Sequence, residues 1–185
     1  KNGRTNIALY EAQKMLKEAQ EEDDKTGLSR CYNIMSQIYT VKRLDSMAFE
    51  WQLKEIELTE KYDLENYNIS QTYSQISSYY INTNQPEKAL EALKKADATA
   101  YSPTQKISVQ LEYVNYYSKF GDMQAAEKIL NECKTAFDQD KRLWSIKKRL
   151  YNIEYVYYLQ SKQYPKALEA AKKQEAEELN LSESI

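Results

Sequence analysis

Apolar side chains recur along the chain in pairs of helical stripes that short polar breaks separate. The clearest pair begins with Tyr73, Ile76 and Tyr80 at i, i+3 and i+7, one face of a helix. A polar break over 82–86 ends this stripe, and its proline suits the first turn of the next helix. The returning stripe then places apolar residues at i, i+4 and i+7: Ala89, Leu93 and Ala96. The pattern predicts a helical hairpin.

A tyrosine followed nine residues later by an alanine occurs at four places. The pairs are Tyr39–Ala48, Tyr80–Ala89, Tyr117–Ala126 and Tyr158–Ala167, and their tyrosines are 41, 37 and 41 residues apart. Self-similarity at such a period is typical of stacked supersecondary units. The small alanine lets two helices approach closely, and the tyrosine ring fills the space beside it. We therefore interpret most of these tyrosines as core residues rather than as a stacking platform for a ligand.

One further apolar stripe, Ala12, Leu16 and Ala19, precedes the first pair and has no tyrosine helix before it. We expect the chain to begin half-way through a unit and to form nine helices. The predicted fold is all-α, a solenoid of antiparallel helix pairs in one repeat domain over 1–185. Its predicted parts are a leading half-repeat at 4–24 and repeats at about 28–62, 69–101, 104–138 and 143–180.

The composition agrees with a folded helical chain and excludes several classes of protein. Three glycines and three prolines leave few helix breakers, while 42% hydrophobic and 29% charged residues indicate a packed, water-soluble chain. A net charge of −2 argues against a nucleic-acid partner, and the basic cluster within 141–149 is interpreted as a solvated helix face. No run of about 18 apolar residues occurs, so we expect no membrane insertion in this segment.

The chain lacks the residues that most catalytic sites need. Histidine is absent, which removes imidazole bases, Ser/His/Asp triads and histidine metal ligands. The acidic runs 21–24 and 175–178 lack the ligand spacing of a calcium loop. Cys31 and Cys133 are expected to be separate buried thiols, with neither a disulfide nor a metal site between them. We predict no enzyme, no catalytic or metal-binding residue and no cofactor.

The spacing resembles the tetratricopeptide repeat, whose two-helix unit alternates large apolar and small residues at set positions. The second unit of this chain matches all six of those positions. The other units depart at some of them, and the first unit is weak in its second helix, at Gln52 and Glu55. There Phe49, Leu53 and Ile56 form an apolar stripe one residue later, so that helix could be rotated. The resemblance implies a right-handed superhelix.

The same resemblance implies a partner-binding groove, because the first helix of each pair lines the concave face in that family. Its positions carried over to this chain give a polar lining: Arg30, Asn33, Gln37, Gln71, Ser74, Ser78, Asn115, Arg149 and Asn152. Amide side chains both donate and accept, which suits hydrogen bonding to an extended peptide. The alternative, that these residues only keep the groove hydrated, stays open.

Long, tyrosine-rich repeats of this kind also resemble the extracytoplasmic sensing regions of bacterial membrane-bound two-component kinases. The expected function is a protein–protein interaction module, with a protein or peptide in the concave groove and a second copy of the chain as another candidate partner. The alternative is a soluble adaptor or the repeat region of a cytoplasmic transcriptional regulator. The resemblance favours a periplasmic location, and the sequence itself leaves the compartment open.

Overall fold

The computed structural model describes residues 2–183, with side chains described for 4–177 and 179. Within this range the chain forms nine α-helices, one short 3-10 helix and no strand, which confirms the predicted all-α repeat fold. The helices are α1 (Asn2–Glu21), α2 (Lys25–Val41), α3 (Asp45–Tyr62), α4 (Ile69–Asn82), α5 (Pro86–Thr99), α6 (Pro103–Phe120), α7 (Met123–Gln139), α8 (Lys147–Gln160) and α9 (Tyr164–Glu183). The 3-10 helix, Lys141–Ile146, precedes α8.

Consecutive helices form four hairpins, α2–α3, α4–α5, α6–α7 and α8–α9, and α1 packs on α2. The first helices α4, α6 and α8 pack on one another in series, which stacks the last three hairpins into a solenoid. The first hairpin joins differently, because α4 contacts α3 rather than α2. The connection at this junction, 63–68, is longer than every other connection between helices except 140–146, which contains the 3-10 helix. The array is therefore less tightly closed between α2 and α4.

Turn residues and helix caps mark where the helices begin and end. Six residues in the left-handed conformation lie at the turns: Asp23, Arg43, Asp63, Asn84, Gly121 and Lys162. Among these, Gly121 (φ +96°) is the residue for which this conformation has no steric cost. Ser102 caps α6 through a reciprocal pair of hydrogen bonds with Gln105, and Pro86 occupies the first turn of α5 as predicted.

The repeated alanines lie at the helix crossings. Ala89 and Ala126 are fully buried, and Ala48 and Ala167 are nearly so. The tyrosine of each pair is half-buried and packs against one of the buried hydrophobic clusters. Tyrosines that are largely exposed lie outside the repeated pairs: Tyr10, Tyr62, Tyr67, Tyr101 and Tyr164. The packing interpretation thus holds for the repeated positions.

The structure also shows the state of the two cysteines and the register of α3. Cys31 and Cys133 are free, buried thiols. In α3, Leu53 is exposed while Gln52 and Glu55 are buried, so the helix keeps the repeat register and is not rotated. Of the apolar stripe one residue later, Ile56 is buried and Phe49 packs against the same hydrophobic cluster, so α3 turns both apolar and polar side chains to the interior.

Ala89→Leu should overpack the α4–α5 crossing, since the alanine methyl has no free space around it. We expect a loss of about 1–3 kcal/mol in the free energy of unfolding, measured by urea denaturation. Ala98→Leu is the matched control, because it makes the same change on the exposed side of α5. Equal stability of the two variants would contradict the crossing.

Candidate functional site

The face formed by α2, α4, α6 and α8, called here the first-helix face, holds two glutamates that are almost fully buried. Glu112 of α6 is 3% exposed, and Glu55, which reaches this face from α3, is 1% exposed. A buried carboxylate is stable only when hydrogen bonds or a cation compensate for its lost hydration. The partners of these two glutamates determine what most of the predicted groove residues do.

Glu112 ties three consecutive first helices together. It accepts hydrogen bonds from Ser78 Oγ of α4 (2.7 Å) and from Asn115 Nδ2 of α6 (2.9 Å). Arg149 Nη2 of α8 forms an ion pair with its other oxygen at 2.9 Å. Arg149 also has a buried Nε without a hydrogen-bond partner among the described residues. Three predicted groove residues thus hold a buried carboxylate.

Glu55 has only neutral partners. Asn33 Nδ2 lies 3.3 and 3.1 Å from its two oxygens, Asn66 Nδ2 donates at 2.9 Å, and Thr72 Oγ1 donates at 3.0 Å. Burial raises the pKa of the Glu55 carboxyl, and these hydrogen bonds oppose that rise. Gln37 Nε2 in turn donates to Asn33 Oδ1 at 2.6 Å, which orients the amide.

Two cavities adjoin each other along the first-helix face. The larger, called the Glu55 cavity, has a volume of about 530 Å³ and lies between α2 and the 63–68 connection. The smaller, called the Arg149 cavity, has a volume of about 180 Å³ and lies between the beginnings of α4, α6 and α8. Gln105 of the Arg149 cavity donates to the carbonyl of Tyr67 in the Glu55 cavity at 2.8 Å. The 63–68 connection therefore lies between the two cavities, and this hydrogen bond links their walls.

The predicted groove residues fall into three groups. Arg30, Gln37, Gln71 and Asn152 are exposed; Asn33, Ser78, Asn115 and Arg149 are half-buried and bonded within the protein; Ser74 is buried. The Ser74 hydroxyl donates to the Ser70 carbonyl at 3.0 Å, and Ser74 lines the Arg149 cavity. Whether these residues bind a partner stays a prediction.

The sequence predicts that the basic cluster within 141–149 is a solvated helix face, and the structure differs from this at two residues. Lys141, Arg142 and Lys148 are exposed, but Arg149 is half-buried on Glu112. Lys147 is half-buried too, with Nζ 4.0 Å from the ring centroid of Trp144. The Arg149 contact joins the start of α8 to α6, and the Lys147 contact joins it to the preceding 3-10 helix.

Sequence reasoning did not predict Glu55, Asn66, Thr72 or Glu112 as members of a site. A signal existed for Glu55, which occupies a core position of the repeat where a small residue is expected. Asn66 lies in a connection and Thr72 on the far side of it, so no periodicity relates them to Glu55. Their convergence depends on the path of 63–68.

The described residues contain no group of His, Cys, Asp or Glu side chains arranged to hold a metal ion. None of the helices, as far as the structure describes them, combines the length and apolarity needed to cross a bilayer.

Comparison with known proteins identifies relatives of this fold. Residues 40–177, well over half of the chain, match the family model described as 26S proteasome subunit RPN7. Among solved structures, BtubC (BKLC) from P. vanneervenii is similar, with a TM-score of 0.69 and 15% sequence identity. The similarity covers 98% of this chain and 76% of that one, and at this identity it shows a shared helical-repeat fold. No curated protein sequence matches the chain.

Glu112→Ala should destabilise the array by about 3 kcal/mol, because it leaves Arg149 half-buried without its counter-ion and removes the acceptor of two further donors. Glu132→Ala, at an exposed site of α7, should change stability by at most about 0.5 kcal/mol. Both values come from urea denaturation. A loss of similar size in both variants would refute the bridging role of Glu112.

Glu55→Gln should alter how stability depends on pH. Because the folded-state pKa of Glu55 lies above its ordinary value of 4.5, the folded protein binds more protons than the unfolded chain between those two pKa values. In the wild type, the contribution of Glu55 to the free energy of unfolding therefore decreases as the pH rises between those two pKa values. The glutamine variant has no such decrease, because its side chain does not titrate.

The variant can keep the network, since Thr72 can accept from the new amide and donate to the Asn68 carbonyl, 3.4 Å away. Urea denaturation from pH 4 to pH 8 measures the stability difference between variant and wild type, which should grow with pH and then level. Glu57→Gln is the matched control, because its side chain is exposed on the same helix. A difference that stays constant across this range would contradict the assignment.

Proposed function

We propose that this chain, which belongs to the 26S proteasome subunit RPN7 family, is a scaffold that binds a protein partner along its first-helix face. The observation that supports this face is the pair of adjoining cavities, lined mostly by polar residues, at the beginnings of the first helices. The family is named after a subunit of a multi-protein assembly, which agrees with a role in protein contacts.

The geometry suits an extended segment of a partner. Gln71 and Asn152 are exposed amides on α4 and α8, and each can donate to and accept from a peptide backbone. The Arg149 cavity adds the half-buried guanidinium of Arg149 to its wall. Because Glu112 already fixes Arg149, little conformational freedom is lost when a partner binds there.

We propose no catalytic activity for this segment. The chain has no histidine to serve as a general base. Its two thiols are buried, and burial raises the pKa of Cys31 and raises that of Cys133 to about 12. A thiol with so high a pKa is a poor nucleophile at neutral pH.

A narrower role is also proposed, the sensing region of a bacterial membrane-bound two-component kinase. It is supported by the resemblance of the tyrosine-rich repeats alone. The alternative is a soluble adaptor or the repeat region of a transcriptional regulator. Sequencing the gene on both sides distinguishes them, since a transmembrane helix with a kinase domain, or instead a helix-turn-helix, would be encoded beside these repeats.

Peptides selected from a random library for binding to the chain should bind the first-helix face. The double variant Gln71→Ala/Asn152→Ala should weaken such a peptide about tenfold, as expected for the loss of two hydrogen bonds. Fluorescence anisotropy of the labelled peptide measures the dissociation constant.

The matched control is Gln124→Ala/Asn131→Ala, which removes the same two side-chain types from the exposed surface of α7. Selected peptides that respond to the α7 variant and ignore the α4 and α8 variant would place the binding surface on the second helices and refute the proposal.

A further inference from the structure

Glu55 differs from the other buried glutamates in having no cation beside it. Glu112 pairs with Arg149 at 2.9 Å, and Glu154, which is 5% exposed, pairs with Lys134 at 2.9 Å. Within the described part of the chain, no lysine or arginine forms an ion pair with Glu55. Burying an ionised carboxylate without a counter-ion is costly even when it is hydrogen-bonded. The fold thus leaves one buried negative charge uncompensated.

This carboxylate forms part of the wall of the Glu55 cavity. Asn33 and Asn66 also line the cavity, whereas Thr72 does not and approaches from the protein interior. A group that enters the cavity therefore meets the carboxylate together with amide groups and the Ser29 hydroxyl. A volume of about 530 Å³ lies within the range of cavities that hold small ligands or side chains.

The other charged residues that line the Glu55 cavity do not alter the negative charge of its interior. Arg30 and Glu65 are the other charged residues that line it, and both are exposed. They carry opposite charges, and as exposed side chains they are screened by water and salt. The buried Glu55 therefore determines which charge the cavity attracts.

The shape of the available contact favours an ammonium over a guanidinium. The Asn33 amide already spans both oxygens of Glu55, at 3.3 and 3.1 Å, where a guanidinium fork would otherwise bind. An ammonium is a compact charge with three donors and needs no free edge of the carboxylate. By displacing the longer Asn33 contact at 3.3 Å, it can approach one oxygen and donate its other hydrogens to neighbouring hydroxyl and amide oxygens.

We propose that the Glu55 cavity binds a primary ammonium group, supplied by a lysine side chain of the protein partner. The choice of a partner lysine rests on the proposed scaffold function, whereas the ammonium itself follows from the uncompensated carboxylate and the cavity. The lysine would take the place at Glu55 that Arg149 and Lys134 take at the other two buried glutamates.

The test uses ¹⁵N-labelled protein and three probes at equal ionic strength: acetyl-Gly-Lys-Gly-amide, acetyl-Gly-Gln-Gly-amide and 1,5-diaminopentane. The lysine peptide should shift the side-chain amide signals of Asn33 and Asn66 in a saturable way, and the glutamine peptide should not. Glu55→Gln should weaken this binding at least about tenfold, since it removes the charge at the contact. Glu57→Gln, the same substitution at an exposed site of α3, should bind as the wild type does.

Equal shifts with the lysine and glutamine peptides, or unchanged binding by Glu55→Gln, would overturn the ammonium site. Saturable binding of the diamine without binding of the lysine peptide would overturn the partner lysine and indicate a small-amine site. Failure of the ammonium site can be distinguished from failure of the proposed scaffold function. A selected peptide that depends on Gln71 and Asn152 but not on Glu55 would remove this inference and leave the scaffold function standing.

Discussion

Close approach of two helices, permitted by a buried alanine at each crossing, is the constraint on which the array depends. Ala48, Ala89, Ala126 and Ala167 have almost no exposed surface, as expected of small residues where two helices pack closely. Half-buried tyrosines fill the space beside these crossings. Once the hairpins are fixed in this way, the remaining freedom lies in how one hairpin joins the next. The polar sites of the protein are found at those junctions.

The junctions are made by different kinds of contact. Between the last three hairpins, α4, α6 and α8 pack directly and Glu112 bonds to all three. Between the first hairpin and the second, a six-residue connection intervenes and a cavity of about 530 Å³ remains. Both junctions contain a buried carboxylate, but only one supplies the cation for it. Because the looser junction leaves its carboxylate without a cation, we expect the Glu55 cavity to bind a positively charged group and the Arg149 cavity to bind a different one.

The fold was predictable because its signals are local. A tyrosine and an alanine at fixed spacing determine a hairpin, and their four repetitions predict the solenoid without reference to distant contacts. The register of α3 was less certain from sequence, since Phe49, Leu53 and Ile56 offered an apolar stripe beside the polar one. The structure buries Gln52 and Glu55 together with Ile56, and Gln52 donates a hydrogen bond to Gln75 of α4 at 3.1 Å.

The site was predictable only in part. Arg30, Gln71 and Asn152 have the exposure that a repeat position implies. Arg149 and Ser78 could not be assigned to Glu112, because these three residues are far apart in the sequence and meet only after the hairpins stack. Hydrophobic periodicity describes which side of a helix is inside. It does not describe which polar groups will find one another there.

The first hairpin joins the second through packing of α3 on α4 and through a buried carboxylate between them. Glu55 bonds to Asn33 in the first hairpin and to Thr72 in the second, across a place where α2 and α4 do not pack directly. A protonation or a bound charge at this carboxylate changes the strength of both bonds at once. A change of charge at Glu55 therefore acts on the contact between the first two hairpins, whereas the Glu112 network lies between α4, α6 and α8.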